Sequence, residues 1–156
     1  MSLVSATQTT EAEGWVRVTV TAGAVDANLI VRQQVASQPD REGAVRLTDP
    51  AVSGLMVPFD NRDGYSTEVS VVNTTAASVG VRLRYLDGNG VELAHEDTNL
   101  DALARRVIRV SDAALGVVLG SLEVTVPGAV SPLTGTALRR SLTGPFTSLP
   151  VVPLRR

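Results

Sequence analysis

Residues 65–95 read YSTEVSVVNTTAASVGVRLRYLDGNGVELAH. Apolar and polar side chains alternate through 65–73 and again through 79–86 and 90–95, the period of two that sends successive side chains to opposite faces of a strand. Asn73-Thr74-Thr75-Ala76-Ala77 interrupts the first run and Asp87-Gly88-Asn89-Gly90 the second. Asp-Gly and Asn-Gly supply the positive φ angles of a tight primed turn, so 79–95 is predicted as a β-hairpin.

The same alternation extends to 14–21, 28–35, 54–59, 106–111, 121–126, 134–142 and 148–152, about ten short strands in all. In 14–21, GWVRVTVT, the side chains of Val16, Val18 and Val20 share one face and are expected to point inward, opposite Trp15, Arg17, Thr19 and Thr21. Helical patterning is confined to a turn or two in 111–119, where Ser111 or Asp112 can cap the amides before Ala-Ala-Leu; an alternative short turn lies in 99–104. Many short strands between Gly, Pro and Asn turns predict an all-β sandwich or barrel. Pro58, Pro127, Pro132, Pro150 and Pro153 sit in or beside strands, where proline belongs at edges and ends. A closed barrel has no edges, so the open antiparallel β-sandwich is preferred.

Composition supports one core. The chain has 156 residues, 44% of them hydrophobic but only 3% aromatic, so Val, Leu, Ile and Ala must fill the interior. Net charge is −2 and the 14 basic residues are scattered, so nucleic acid is not an expected partner. The absence of cysteine removes disulfides, thiolate zinc sites and cysteine nucleophiles together. Charge-free stretches such as 113–122 fall short of the roughly 20 apolar residues of a membrane helix, so no membrane insertion is expected.

Residues 1–13 read as a disordered or expression-derived leader, and 14–156 as a single β-sandwich domain. An internal echo offers another plan: GWVRVTV and GAV in 14–33 resemble GSLEVTV and GAV in 120–140, as if one strand pair were used twice. Residues 14–60 would then be the trailing strands of a preceding module and 61–156 the main one, with 38–43 as the most linker-like segment.

The order of Val31-Arg32-Gln33-Gln34, Pro39-Asp40-Arg41-Glu42, Val57-Pro58-Phe59-Asp60-Asn61, Gly64-Tyr65, Asn73 and the closing 144–151, GPFTSLPV, resembles uncharacterised immunoglobulin-like modules of large secreted proteins of soil-type bacteria. The resemblance covers about 14–153 and rests on turn motifs. It implies an immunoglobulin-like sandwich, a modular exported parent and a secreted or cell-surface location; it carries over no catalytic or binding residue.

Candidate chemistry is sparse. His95 is the lone histidine, and no Gly-x-Ser-x-Gly elbow accompanies it, so no catalytic residues are assigned. Glu92, Glu96, Asp97 and Asp101 could be considered as a carboxylate pair for glycoside hydrolysis, but proximity in sequence is their only recommendation. Asp60, Asn61 and Asp63 in one turn, and Asp87 with Asn89 in another, offer hard oxygens for calcium without the spacing of a dedicated loop. Such residues more often close turns by bonding their own backbone, so no metal or cofactor is expected. Trp15 and Tyr65 are the candidate ligand contacts, with packing favoured for Trp15.

The expected role is a non-catalytic structural or adhesive module, with neighbouring modules of the parent chain as partners and a homodimer through edge strands as a further possibility. The alternative is a carbohydrate- or peptide-binding module using loops 60–65 and 87–90.

Overall fold

The computed structural model describes residues 15–24, 26, 28–33, 41–46, 54–127, 133–141 and 144–154. Among them eleven strands form antiparallel sheets, and the chain is an all-β sandwich. β1 (Asn28–Gln33) and β2 (Arg41–Arg46) make a separate two-stranded sheet. The wider main sheet runs β11 (Val152–Leu154), β3 (Gly54–Asp60), β8 (Leu119–Thr125), β5 (Val79–Asp87), β6 (Glu92–Leu100). The narrower one runs β10 (Phe146–Leu149), β9 (Leu133–Ser141), β4 (Tyr65–Asn73), β7 (Arg105–Val110).

Alternation decides which side chains meet between these sheets. Leu55, Val57 and Phe59 of β3, Leu83 of β5, and Leu122 and Val124 of β8 face Val69 and Val71 of β4, Ile108 of β7 and Ala137 of β9 in one buried cluster. Each large aliphatic side chain so buried contributes about 1.5–3 kcal/mol.

The chain passes from sheet to sheet at nearly every connection. β4 pairs with β7 and β9, while its neighbours in sequence, β3 and β5, both pair with β8. A strand expected over 148–152 is two shorter ones: β10 pairs with β9, the chain crosses at Pro150-Val151, and β11 pairs with β3 in the other sheet. Proline lacks the amide that a continuous strand would need there. β3, which the two-module plan assigned to a preceding unit, lies between β11 and β8.

Residues 15–20 depart most from expectation. They form no strand, and Val16, Val18 and Val20 are 73%, 51% and 42% exposed. No ladder positions this segment; side chains do. Trp15 Nε1 donates to the Leu103 carbonyl at 2.9 Å, and the Arg17 guanidinium donates to the Thr74 carbonyl. Those bonds turn the tryptophan side toward the sandwich and the valines toward water. The echo in 14–33 and 120–140 is therefore not a repeated hairpin, since β8 and β9 also lie in different sheets.

Other boundaries moved for local reasons. β2 occupies 41–46, overlapping the expected linker 38–43, whose residues 38–40 lie outside the described ones. Its register with β1 pairs Arg32 with Glu42, and Gly43 leaves room for the Phe146 ring, which a Cβ would approach to 2.7 Å. β6 begins at Glu92 and runs on to Leu100 through a charged segment of low strand propensity, held by pairing along β5. The β5–β6 turn is wider than a primed turn. Gly90 alone in 87–90 has positive φ, its amide donates to the Asp87 carbonyl, and a bulge falls between Tyr85 and Leu86. The predicted helical turn is present as α1 (Asp112–Leu115), with the Ala114 amide 3.4 Å from Ser111 Oγ.

One buried amide ties two connections together. Asn73 is fully buried, and its Nδ2 lies 2.7 Å from the Ala77 carbonyl, 2.9 Å from that of Asp101 and 3.2 Å from that of Leu100. Its Oδ1 accepts from the amide and hydroxyl of Thr75. Asn73→Ala strands these groups away from water, and is expected to cost about 2–4 kcal/mol in urea unfolding. Asn73→Asp should cost at least as much, because a carboxylate would then face three carbonyls.

Candidate functional site

Strand directions sort the sequence candidates by end of the sandwich. β3 ends at Asp60 and β5 ends at Asp87, and both flank the start of β8, where Asp60 pairs with Leu119 and Asp87 with Gly120. Loops 60–65 and 87–90 therefore share one end. Trp15 is bonded to the opposite end, beside Thr74 and Leu103. Tyr65 opens β4 and Thr74 follows its last residue, so the nine residues of β4 separate the two aromatic candidates by about 27 Å. One ligand of ordinary size does not touch both.

At the first end Asp60 is the hub. Arg62 donates through Nε at 2.9 Å and Nη2 at 2.7 Å to the two carboxylate oxygens, and its amide adds a third bond at 3.1 Å. Arg139 reaches in from β9, with Nε 2.6 Å from the Asp60 carbonyl and Nη2 3.5 Å from Oδ1. Hydrogen bonding from Arg62 holds the Asp60 carboxyl well below the usual carboxylate range, against a smaller opposing effect of burial. The Arg139 guanidinium also lies over the Tyr65 ring, 3.9 Å from its centroid. Beneath this cluster, buried Asn61 donates through Nδ2 to the Val110 carbonyl at 3.0 Å, and through its amide to that of Val118 at 2.8 Å.

Of the oxygens that calcium would need, the carboxylates of Asp60 and Asp87 are already engaged, while buried Asn61 Oδ1 has no hydrogen-bond partner. Asp60 holds two arginines, and Asp63 is the left-handed residue of a short 3-10 turn, Arg62–Gly64, with φ 60°. Asp87 Oδ1 accepts the amides of Asn89 and Val91, both at 2.8 Å, and those bonds, Val91 first, lower its pKa. Among the described residues no three His, Asp or Glu side chains gather where they could hold a metal ion.

The four acids considered for hydrolysis do not converge. Asp97 pairs with Arg82 at 2.7 Å, and Glu92 with Arg84 at 2.7 Å, while Arg84 also reaches Glu123 at 2.6 Å. Glu96, next along β6 and so on the other side of its pleat, holds Arg106 of β7 at 2.6 Å. Asp101 contributes its backbone carbonyl to the Asn73 tie. His95 Nδ1 lies 2.9 Å from Glu92 Oε1 on an exposed strand.

Sequence reasoning noted only that the basic residues are scattered and gave them no role. All 14 basic residues are arginine. The signal that marks two of them is parity: Arg106 shares its face of β7 with Ile108 and Val110, and Arg139 its face of β9 with Leu133 and Ala137. An arginine at an inward position near a strand end must find carbonyl or carboxylate partners, and these do.

Comparison of the chain with protein-family models, with curated proteins and with solved structures finds no match.

The charge cluster has a pH signature. Because the folded pKa of Asp60 lies below its unfolded value, its contribution is complete above about pH 4 and fades as pH falls toward the folded pKa. Asp60→Asn should lower Tm most at neutral pH, and the gap from wild type should narrow steadily below about pH 4 in calorimetric scans. Millimolar calcium is expected to leave the wild-type Tm unchanged; a rise of several degrees would restore these loops as a metal site.

Proposed function

We propose that this chain is a non-catalytic structural module of a larger exported protein, a spacer or adhesive unit built on an immunoglobulin-like plan. The observation that carries the reading is the use made of its polar side chains. Asp60, Asp87, Arg139 and Asn73 hold the chain's own turns and strand ends, so that both ends of the sandwich are braced from within.

Topology supports the immunoglobulin-like part. β4 pairs with β7 in one sheet and β5 with β8 in the other, as strands B with E and C with F do in that fold, and β6 lies beside β5 where C′ would. The outer strands differ from that plan. β3 pairs with β8 and β9 with β4, so the positions of first and last strand are exchanged between the sheets. The resemblance of turn motifs across 14–153 supports the exported, modular parent and the secreted or cell-surface location. Protease shaving of intact cells making the parent protein should release peptides of this module; their recovery only after lysis would overturn the location.

The second reading, a carbohydrate- or peptide-binding module, is favoured by one observation: loops 60–65 and 87–90 stand at one end, on either side of β8. Glycan and peptide arrays separate the two. The structural reading expects no signal above background for wild type and identical behaviour for Tyr65→Ala and Trp15→Ala. A glycan bound by wild type and lost on Tyr65→Ala would replace it with the binding reading.

A further inference from the structure

The two long sides of the sandwich are built differently. On one, the chain crosses from β10 to β11 through Pro150, Pro153 sits within β11, and Gly43 of β2 lies against the Phe146 ring of β10. The other side ends in β6 and β7, and among the described residues no strand pairs beyond either.

Both edges there present a surface for pairing. The Asn73 amide donates to the Ala104 carbonyl at 3.0 Å, one step past the Val72–Arg105 pair. Hydrogen-bonded pairs recur at every second position of an antiparallel ladder, so the backbone groups of Arg106 and Ile108 point to β4 and those of Val107 and Arg109 point away. β6 is exposed at six consecutive residues, 92–97, which means that both faces of its pleat are open. It therefore overhangs the narrower sheet. The result is a step along the side of the molecule, with Ala94 and Glu96 on the tread and the β7 edge as the riser.

Charge is divided across that step. β7 carries Arg105, Arg106 and Arg109; β6 carries Glu92, Glu96 and Asp97. Arg109 is 82% exposed and only loosely held, 3.4 Å from Glu68.

We propose that two copies of this chain join through these steps, each β7 pairing with the partner's β6 about a two-fold axis parallel to the strands. Such an axis turns one step into the other, so that both sheets continue across the interface. It also preserves strand direction. β6 and β7 are joined by the 101–104 turn and run oppositely, so β7 meets the partner's β6 antiparallel, and arginines meet carboxylates. A two-fold perpendicular to the sheets would bring β7 to β7 and β6 to β6, setting like charges opposite each other. Charged edge strands ordinarily keep copies apart; here the two edges carry opposite sign, which excludes like pairing and permits the mixed one.

Sedimentation velocity over a concentration series tests this, with the intact chain at low and high salt. A dimer at low salt, with Kd rising at least about tenfold at high salt, is the expected result. Arg109→Gln and Ala94→Arg alter exposed side chains only, and each should weaken the dimer by about tenfold or more with Tm of the dilute protein unchanged. Amide exchange in the dimer should slow in β6 and β7 together. A monomer at every concentration in low salt, a dimer indifferent to both variants, or slowing confined to β7 would each overturn the proposal.

Discussion

The buried layer between two sheets of unequal width is the constraint from which the other features follow. Leu55, Val57, Leu83, Val69 and Val71 make that layer from short aliphatic side chains, with Phe59 the one fully buried ring. Such side chains suit strands because their branched β-carbons pack on a pleated surface. With one sheet a strand wider, however, the layer does not cover β6, whose first six residues are exposed on both sides. The overhang is thus a geometric consequence of the core.

Where the aliphatic layer ends, arginine and asparagine take over. Arg139 joins the ends of β3 and β9 at one end, Asn73 joins the 73–77 and 100–104 connections at the other, and Arg106 spans the sheets along the open side. The planar guanidinium reaches two acceptors at once, which a lysine at these positions would not do. Arg84 shows this directly, holding Glu92 and Glu123 from adjacent strands. Exposed pairs of this kind contribute little energy individually, so their effect is on geometry, holding loops and strand ends in one arrangement. That bracing is what favours a structural role over a reactive one.

The legible parts of the fold are those whose signal is local. Tyr65–Asn73 was bounded without error because its alternation is unbroken and a turn follows it at once. The capped turn at Ser111 was readable for the same reason. Residues 15–20 carry an equally clean alternation, yet form no strand and expose the valines. Periodicity says that one face differs from the other; it does not supply a ladder partner. β2 failed in the opposite direction, since its glycine and flanking charges read as linker, while its pairing with β1 and contact with Phe146 come from distant residues. Of the candidate site, the Asx chemistry of Asp60 and Asp87 was visible as turn chemistry, but the arginine that comes from β9 to Asp60 was not.

By itself the sequence determined the all-β class, the aliphatic character of the core, the turns at 73–77 and 87–90 and the exclusion of cysteine chemistry, because each depends on residue type and on neighbours a few positions away. Only the tertiary structure decided which strands share a sheet, that Trp15 and Tyr65 stand at opposite ends, and that an acidic edge lies beside a basic one. The physical reason is separation along the chain. Asp60 meets Arg139 and Trp15 meets Leu103 across 79 and 88 residues, and pairings at that range are chosen by the whole core closing at once, which no local pattern encodes.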